Sequence, residues 1–177
     1  MKTLILGGAR SGKSKRAEAL AEASGKAVVY VATASCFPDD KEWQQRIQQH
    51  QRQRPAAWVV VEEQIGLVSL LQGGKYEEYI LLIDCLTLWL SNLMFAEMDV
   101  AQEVSVFCRA LSGYTGDVVM VSNEVGLGLV PETALGREFR DEQGRLNQHV
   151  AVVADCVEFI AAGLPIKLKG DVNHRAT

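Results

Sequence analysis

No stretch of this sequence reaches the roughly 18 consecutive apolar residues that a membrane-spanning helix requires, so no bilayer span is expected. The opening run from Met1 to Leu6 is also too short for the apolar core of a secretory signal, and it leads directly into glycines, which makes the cytoplasm the expected compartment. Cysteine is sparse. Cys36, Cys85, Cys108 and Cys156 contain no C-x-x-C pair, which argues against a zinc site or a disulfide framework and for reduced thiols packed as small hydrophobes. A basic stretch is missing too, and with 18 Lys and Arg against 22 Asp and Glu the net charge is −4. A sequence-independent grip on nucleic-acid phosphates has little to work with, and nucleic acid is not expected as a partner. Internal repeats and low-complexity linkers are likewise absent.

What remains is the composition of a folding chain: 48% of its 177 residues are hydrophobic and 23% charged, enough apolar material for one compact core. Short runs rich in β-branched residues alternate with helix-like segments, the pattern of a parallel sheet covered on both faces. The runs predict strands at Thr3–Leu6, Ala27–Ala32, Trp58–Val61, Tyr79–Asp84, Asp117–Ser122, Cys156–Ala161 and Pro165–Leu168. The last two are joined through Ala162, Gly163 and Leu164, which predicts an antiparallel hairpin at the sheet edge. Helices are expected over Lys13–Ala23, Asp40–Arg52, Ile65–Leu71, Ala101–Leu111 and Glu132–Ala154, the last with Pro131 before it as a start signal. Residues 1–169 are read as one domain and 170–177 as a polar, flexible tail.

The residues Gly7, Gly8, Ala9, Arg10, Ser11, Gly12, Lys13 and Ser14 fit the pattern G-x-x-x-x-G-K-[ST], between the first strand and the first helix. Glycines let the backbone turn tightly so that its N–H groups face phosphate oxygens, and the following helix dipole adds to that field. Lys13 is expected to reach the β- and γ-phosphates. The Ser14 hydroxyl suits Mg²⁺, and Asp84, after the buried run Ile80–Ile83, is the strand-end carboxylate that would hold the ion from the far side. The fold expected is therefore a three-layer α/β P-loop NTPase fold, mostly parallel with an antiparallel edge hairpin, and the chemistry is phosphoryl transfer from a nucleotide.

A second group runs from Arg46 through His50 to Arg52, Arg54 and Pro55, with Arg46 and His50 four apart on one helix face. Neighbouring arginines disfavour the charged imidazole and neutralise approaching phosphates, as a histidine nucleophile at phosphorus needs. By spacing alone His50 reads more readily as a surface residue than as a nucleophile, and His149 and His174 read as structural or surface residues. Asn123 and Glu124 end a strand beside the loop, placed either to touch substrate or Mg²⁺ or only to shape the turn at Gly126 and Gly128. Leu88, Trp89, Leu90 and Leu93 follow Asp84 at helix-like spacing, which fits internal packing or a subunit contact.

Together, Gly7–Ser14, Tyr30–Ala34, Arg46–His50 with Arg54 and Pro55, Asp84–Asn92 and Ser122–Gly128 resemble one family closely, and the likeness continues through Phe139–Asp141, Gly144–Gln148 and Gly163–Lys169. That family is the adenosylcobinamide kinase/adenosylcobinamide-phosphate guanylyltransferase family. The resemblance implies phosphorylation of the aminopropanol hydroxyl of adenosylcobinamide by ATP or GTP, then transfer of GMP from GTP onto adenosylcobinamide phosphate. It also implies His50 as the residue that carries GMP. Guanine-nucleotide contacts are implied at the loop, at Val31, Ala32 and Thr33, at Gln51, Arg52, Gln53 and Arg54, at Glu62 and at Asp84, and a homotrimer is implied as the assembly. A nucleotide-binding switch would share the loop but have no use for His50; an enzyme with only one of the two activities would share both.

Overall fold

The computed structural model describes residues 1–35 and 55–170. Within them lie seven strands: β1 (Lys2–Gly7), β2 (Val28–Ala32), β3 (Val59–Glu62), β4 (Ile80–Asp84), β5 (Asp117–Asn123), β6 (Cys156–Ala161) and β7 (Leu164–Lys169). The helices are α1 (Lys13–Ala23), α2 (Leu67–Gln72), α3 (Leu86–Phe95), α4 (Val100–Gly113) and α5 (Ala134–Val153). The strands form one sheet in the order β3-β2-β4-β5-β1-β6-β7, parallel throughout except for β7, which runs antiparallel to β6. The hairpin between them turns on Ala162 and Gly163, both at positive φ, the signature of a two-residue turn whose twist matches its strands.

Each face of the sheet buries its own apolar cluster. Leu4, Leu81, Ile83, Val118 and Met120 face the side covered by α2, α3, α4 and α5, where Trp89 packs against Phe107 with ring centroids 5.0 Å apart. The alternate residues Ile5, Tyr30, Ile80, Leu82, Val119 and Val121 face α1, whose Ala17 and Ala21 are small enough to seat it close to the sheet. The helix after β1 and the helix after β5 thus lie on opposite faces although the two strands are neighbours. That reversal opens a crevice beyond their carboxyl ends, where open α/β sheets take their ligands.

Several elements differ from their sequence-based expectation. The helix α3 was not among those expected, although its apolar spacing was evident. β3 sits one residue later, so Glu62 is its last residue rather than the one beyond it. α2 begins at Leu67 because the Glu63 carboxylate accepts from the N–H groups of Ile65 and Gly66 and holds that turn out of the helix. α5 starts at Ala134, capped by Thr133 through the Gly136 N–H, with Pro131 two residues before the cap. The expected helix Asp40–Arg52 and the tail residues 171–177 lie outside the described residues.

Candidate active site

β1 delivers Gly7 to the carboxyl edge of the sheet, and the chain turns at once: Ser11 N–H donates to the Gly8 carbonyl at 3.3 Å. The turn leaves no room for a side chain at its start, since a Cβ on Gly7 would lie 2.5 Å from Ser11 Oγ and 2.8 Å from the Ile160 carbonyl oxygen. Gly12 caps α1 with φ of 97°, a left-handed conformation that favours glycine, and no side chain occupies the helix N-terminus. The first amides of α1 are therefore left for an anion, helped by the helix dipole.

Lys13 Nζ donates to the Gly8 carbonyl at 3.1 Å, inside the loop that it would leave to meet phosphates. Burial lowers the pKa of this ammonium below the ordinary lysine range, and the nearby Cys85 and Asp84 oppose that shift. Asp84 ends β4, and one of its oxygens accepts from the Tyr30 hydroxyl at 2.9 Å. Burial pushes the adjoining Cys85 thiol up to about 12, so it stays protonated. Among the described residues no three His, Cys, Asp or Glu side chains gather to hold a metal. A Mg²⁺ site needs no such cage: one or two hard oxygen ligands with substrate phosphates and water suffice, and the Ser14 hydroxyl with the Asp84 carboxylate fits that donor set.

The remaining site residues divide. Val31 and Thr33 are fully buried, and the Thr33 hydroxyl donates to the Cys85 carbonyl and accepts from the Cys85 N–H. The Thr33 N–H donates to the Asp84 carbonyl at 3.3 Å and the Ala32 carbonyl accepts from the Glu63 N–H at 2.9 Å, so main-chain bonds to the neighbouring strand ends hold this turn. Glu62 is exposed at the end of β3, while its neighbour Glu63 is committed to the turn before α2. His50, Gln51, Arg52, Gln53 and Arg54 lie outside the described residues, as does Cys36.

Sequence reasoning missed a polar arrangement around the end of β5. Ser122 Oγ donates to Asn147 Oδ1 at 2.7 Å, and Gln143 Nε2 donates to both at 2.9 and 3.0 Å. Asn147 Nδ2 reaches the Asn123 carbonyl at 3.1 Å, while Asn123 N–H donates to Thr87 Oγ1 at 2.8 Å. The one signal in the sequence was a pair of amides, Gln143 and Asn147, four apart in a helix stripe otherwise filled by Leu146 and Val150. Asn92 on α3 likewise joins two strand exits, donating to the carbonyls of Thr33 and Gln64.

Comparison with known proteins matches residues 3–168 to the family described as cobinamide kinase / cobinamide phosphate guanyltransferase. The bifunctional adenosylcobalamin biosynthesis protein CobP of Pseudomonas aeruginosa is 45% identical over 175 residues, 97% of this chain and 99% of that protein. The bifunctional adenosylcobalamin biosynthesis proteins CobU of Salmonella typhimurium and Escherichia coli are 37% and 36% identical over 184 residues, in each case 96% of this chain and all of the relative.

Proposed function

The chain belongs to the cobinamide kinase / cobinamide phosphate guanyltransferase family, and we propose that it carries out both reactions at one phosphate loop, with GMP held on His50 between them. The enzyme is a bifunctional transferase of adenosylcobalamin biosynthesis. In the kinase step the hydroxyl of adenosylcobinamide attacks the terminal phosphorus of ATP or GTP. In the second step an imidazole nitrogen of His50 attacks the α-phosphorus of GTP, a P–N bond forms, and pyrophosphate leaves. A phosphate oxygen of adenosylcobinamide phosphate then attacks that phosphorus, the P–N bond breaks, and adenosylcobinamide-GDP is released with the imidazole restored. One difficult displacement becomes two easier ones.

The observation that carries this reading is the full-length family match together with the phosphate loop, Lys13 and Asp84 gathered at the carboxyl edge of the sheet. Loop amides and Lys13 bind and orient the triphosphate in both steps, which is most of what phosphoryl transfer asks of a protein. Mg²⁺ on Ser14 and Asp84 would supply charge neutralisation at the β- and γ-phosphates. The guanine nucleotide is assigned to the turn after β2 at Val31, Ala32 and Thr33, to Glu62 and to Gln51–Arg54. No helix among the described residues is long and apolar enough to cross a membrane, and the enzyme is assigned to the cytoplasm. A homotrimer is the proposed assembly on the family resemblance, and Leu164, Ile166 and Leu168, exposed in a row on the edge strand β7, offer an apolar surface for a subunit contact.

The test is to incubate the wild type and His50→Ala with GTP labelled at the α-phosphorus, quench in denaturant, and assay protein-bound label. Acid-labile, base-stable label on the wild type alone is expected of a phosphoramidate. Label on neither protein, or equal label on both, would remove His50 from the pathway.

A further inference from the structure

The loop amides and Lys13 offer an incoming nucleotide hydrogen-bond donors, whereas the kinase step also brings in a hydroxyl that needs a hydrogen-bond acceptor to orient it. We propose that this acceptor is the side-chain carbonyl of Asn123, and that the corrinoid binds over the connection between β5 and α5. The proposal deepens the kinase half of the function assigned above and rests on it.

The strand register places Asn123 opposite Gly7, the first loop residue, and β5 lies between the loop strand β1 and the Asp84 strand β4. Side chains alternate across a strand. Val119 and Val121 pack on the α1 face, as Ile80 and Leu82 do on β4, so Asn123 and Asp84 share the face on which Lys13 and its helix sit. This is also the crevice where the helices after β1 and β5 part to opposite faces.

The backbone of Asn123 is fixed on both sides, its N–H by Thr87 and its carbonyl by Asn147, and the next N–H, of Glu124, donates to the Gly7 carbonyl at 3.0 Å. Its side-chain oxygen, by contrast, is buried with no hydrogen-bond partner among the described residues. An acceptor left in that state costs about 1–3 kcal/mol, and the surrounding bonds hold it in place regardless.

Just beyond, the connection carries Leu127 at 81% and Leu129 at 95% exposure, followed by exposed Val130. This apolar ledge continues outward from the strand end that orients the hydroxyl, and it suits the broad face of a corrin ring. In the reaction the alcohol oxygen forms the new O–P bond, the bond from the γ-phosphorus to the bridging oxygen breaks, and the alcohol proton passes to a phosphoryl oxygen. The amide is too weakly basic to take that proton; it aims the oxygen lone pair at phosphorus.

The experiment measures kinase turnover on adenosylcobinamide with GTP, together with melting temperature and particle mass. Asn123→Ala should lower kcat for phosphorylation roughly 10- to 100-fold, as a misaimed nucleophile does, with little change in KM for GTP. Its melting temperature should equal or exceed that of the wild type, because both backbone clamps survive and an unpaired carbonyl is removed. Leu127→Ser with Leu129→Ser should raise KM for adenosylcobinamide while KM for GTP holds. A wild-type kcat in Asn123→Ala, or a loss of kcat that comes with a lower melting temperature, would overturn the assignment of the amide. An unchanged corrinoid KM with a smaller particle in the leucine variant would make the ledge a subunit contact and overturn its assignment. A wild type that phosphorylates no cobinamide would instead overturn the function on which the proposal rests.

Discussion

Lys13 has to be charged to hold phosphates, yet burial makes its proton easier to lose than that of an ordinary lysine. As pH rises through that lowered pKa, the ammonium of the ligand-free protein is lost, and an incoming triphosphate favours its return. Binding GTP should therefore draw a proton from the buffer at alkaline pH, below the usual lysine range near 10.4, and a smaller fraction of one as the pH is lowered. Titration calorimetry in two buffers of different ionisation enthalpy would read this, and a proton count of zero across that range would mean that Lys13 titrates normally. Stability carries a related sign: the unfolded chain holds this proton to higher pH than the folded one, so the ligand-free protein gains stability as pH climbs through the same window. Much of this residue-scale picture was legible in the sequence, because loop glycines, lysine, hydroxyl and strand-end acid stand in fixed order. Tyr30 was not. Its hydroxyl serves Asp84, 54 positions away, and such a pairing exists only once the strands are side by side. The partners of Asn123 were hidden for the same reason.

The strands were legible because buried parallel strands are runs of β-branched and aliphatic residues bounded by polar ones. Helix α3 was harder to find, for a reason in its own residues: Leu86–Phe95 contains no charged side chain, its Cys85 cap makes no side-chain hydrogen bond, and Leu88 packs on one face of the sheet while Leu86, Trp89, Leu90 and Leu93 pack on the other. A helix apolar nearly all round shows helix-like spacing but neither a charged face nor a start signal to mark its bounds. Helix α1 shows what an element contributes to the site. Arg16 forms a paired contact with Glu158 on β6, at 2.8 and 2.9 Å, and Glu158 is almost wholly buried. Because α1 carries Lys13 and Ser14, this contact fixes the loop against the sheet. Glu158→Gln should lower unfolding stability by roughly 1.5–3 kcal/mol, the range for a hydrogen bond to a charged group, and weaken nucleotide binding as well. Urea denaturation with and without GTP would measure both, and a loss below about 0.5 kcal/mol would mark the pair as a screened surface contact.

At the scale of the whole molecule, the two ends of the described chain meet at the phosphate loop. The Gly163 N–H in the β6–β7 turn donates to the Ser11 carbonyl at 2.8 Å, and a Cβ placed on Gly12 would lie 3.2 Å from the Gly163 Cα. The loop is thus backed by a hairpin more than 150 residues further along, and the last of the described strands complete the site that the first begins. Binding and hairpin opening should then be linked. If opening the turn releases the loop, a nucleotide that requires the loop must suppress opening by the free energy of its binding, about 2.7 kcal/mol at a ligand concentration of 100 Kd. The Gly163 amide should accordingly exchange with deuterium about 100-fold more slowly in saturating GTP than without it, as should β7 amides that exchange only through the same opening. Because linkage is reciprocal, a turn variant that opens more readily should weaken GTP binding by the factor it adds to opening once the open form predominates, and hardly at all while that form is rare. Exchange at Gly163 that GTP leaves untouched would show that the hairpin opens without disturbing the loop, and that the contact between them transmits nothing.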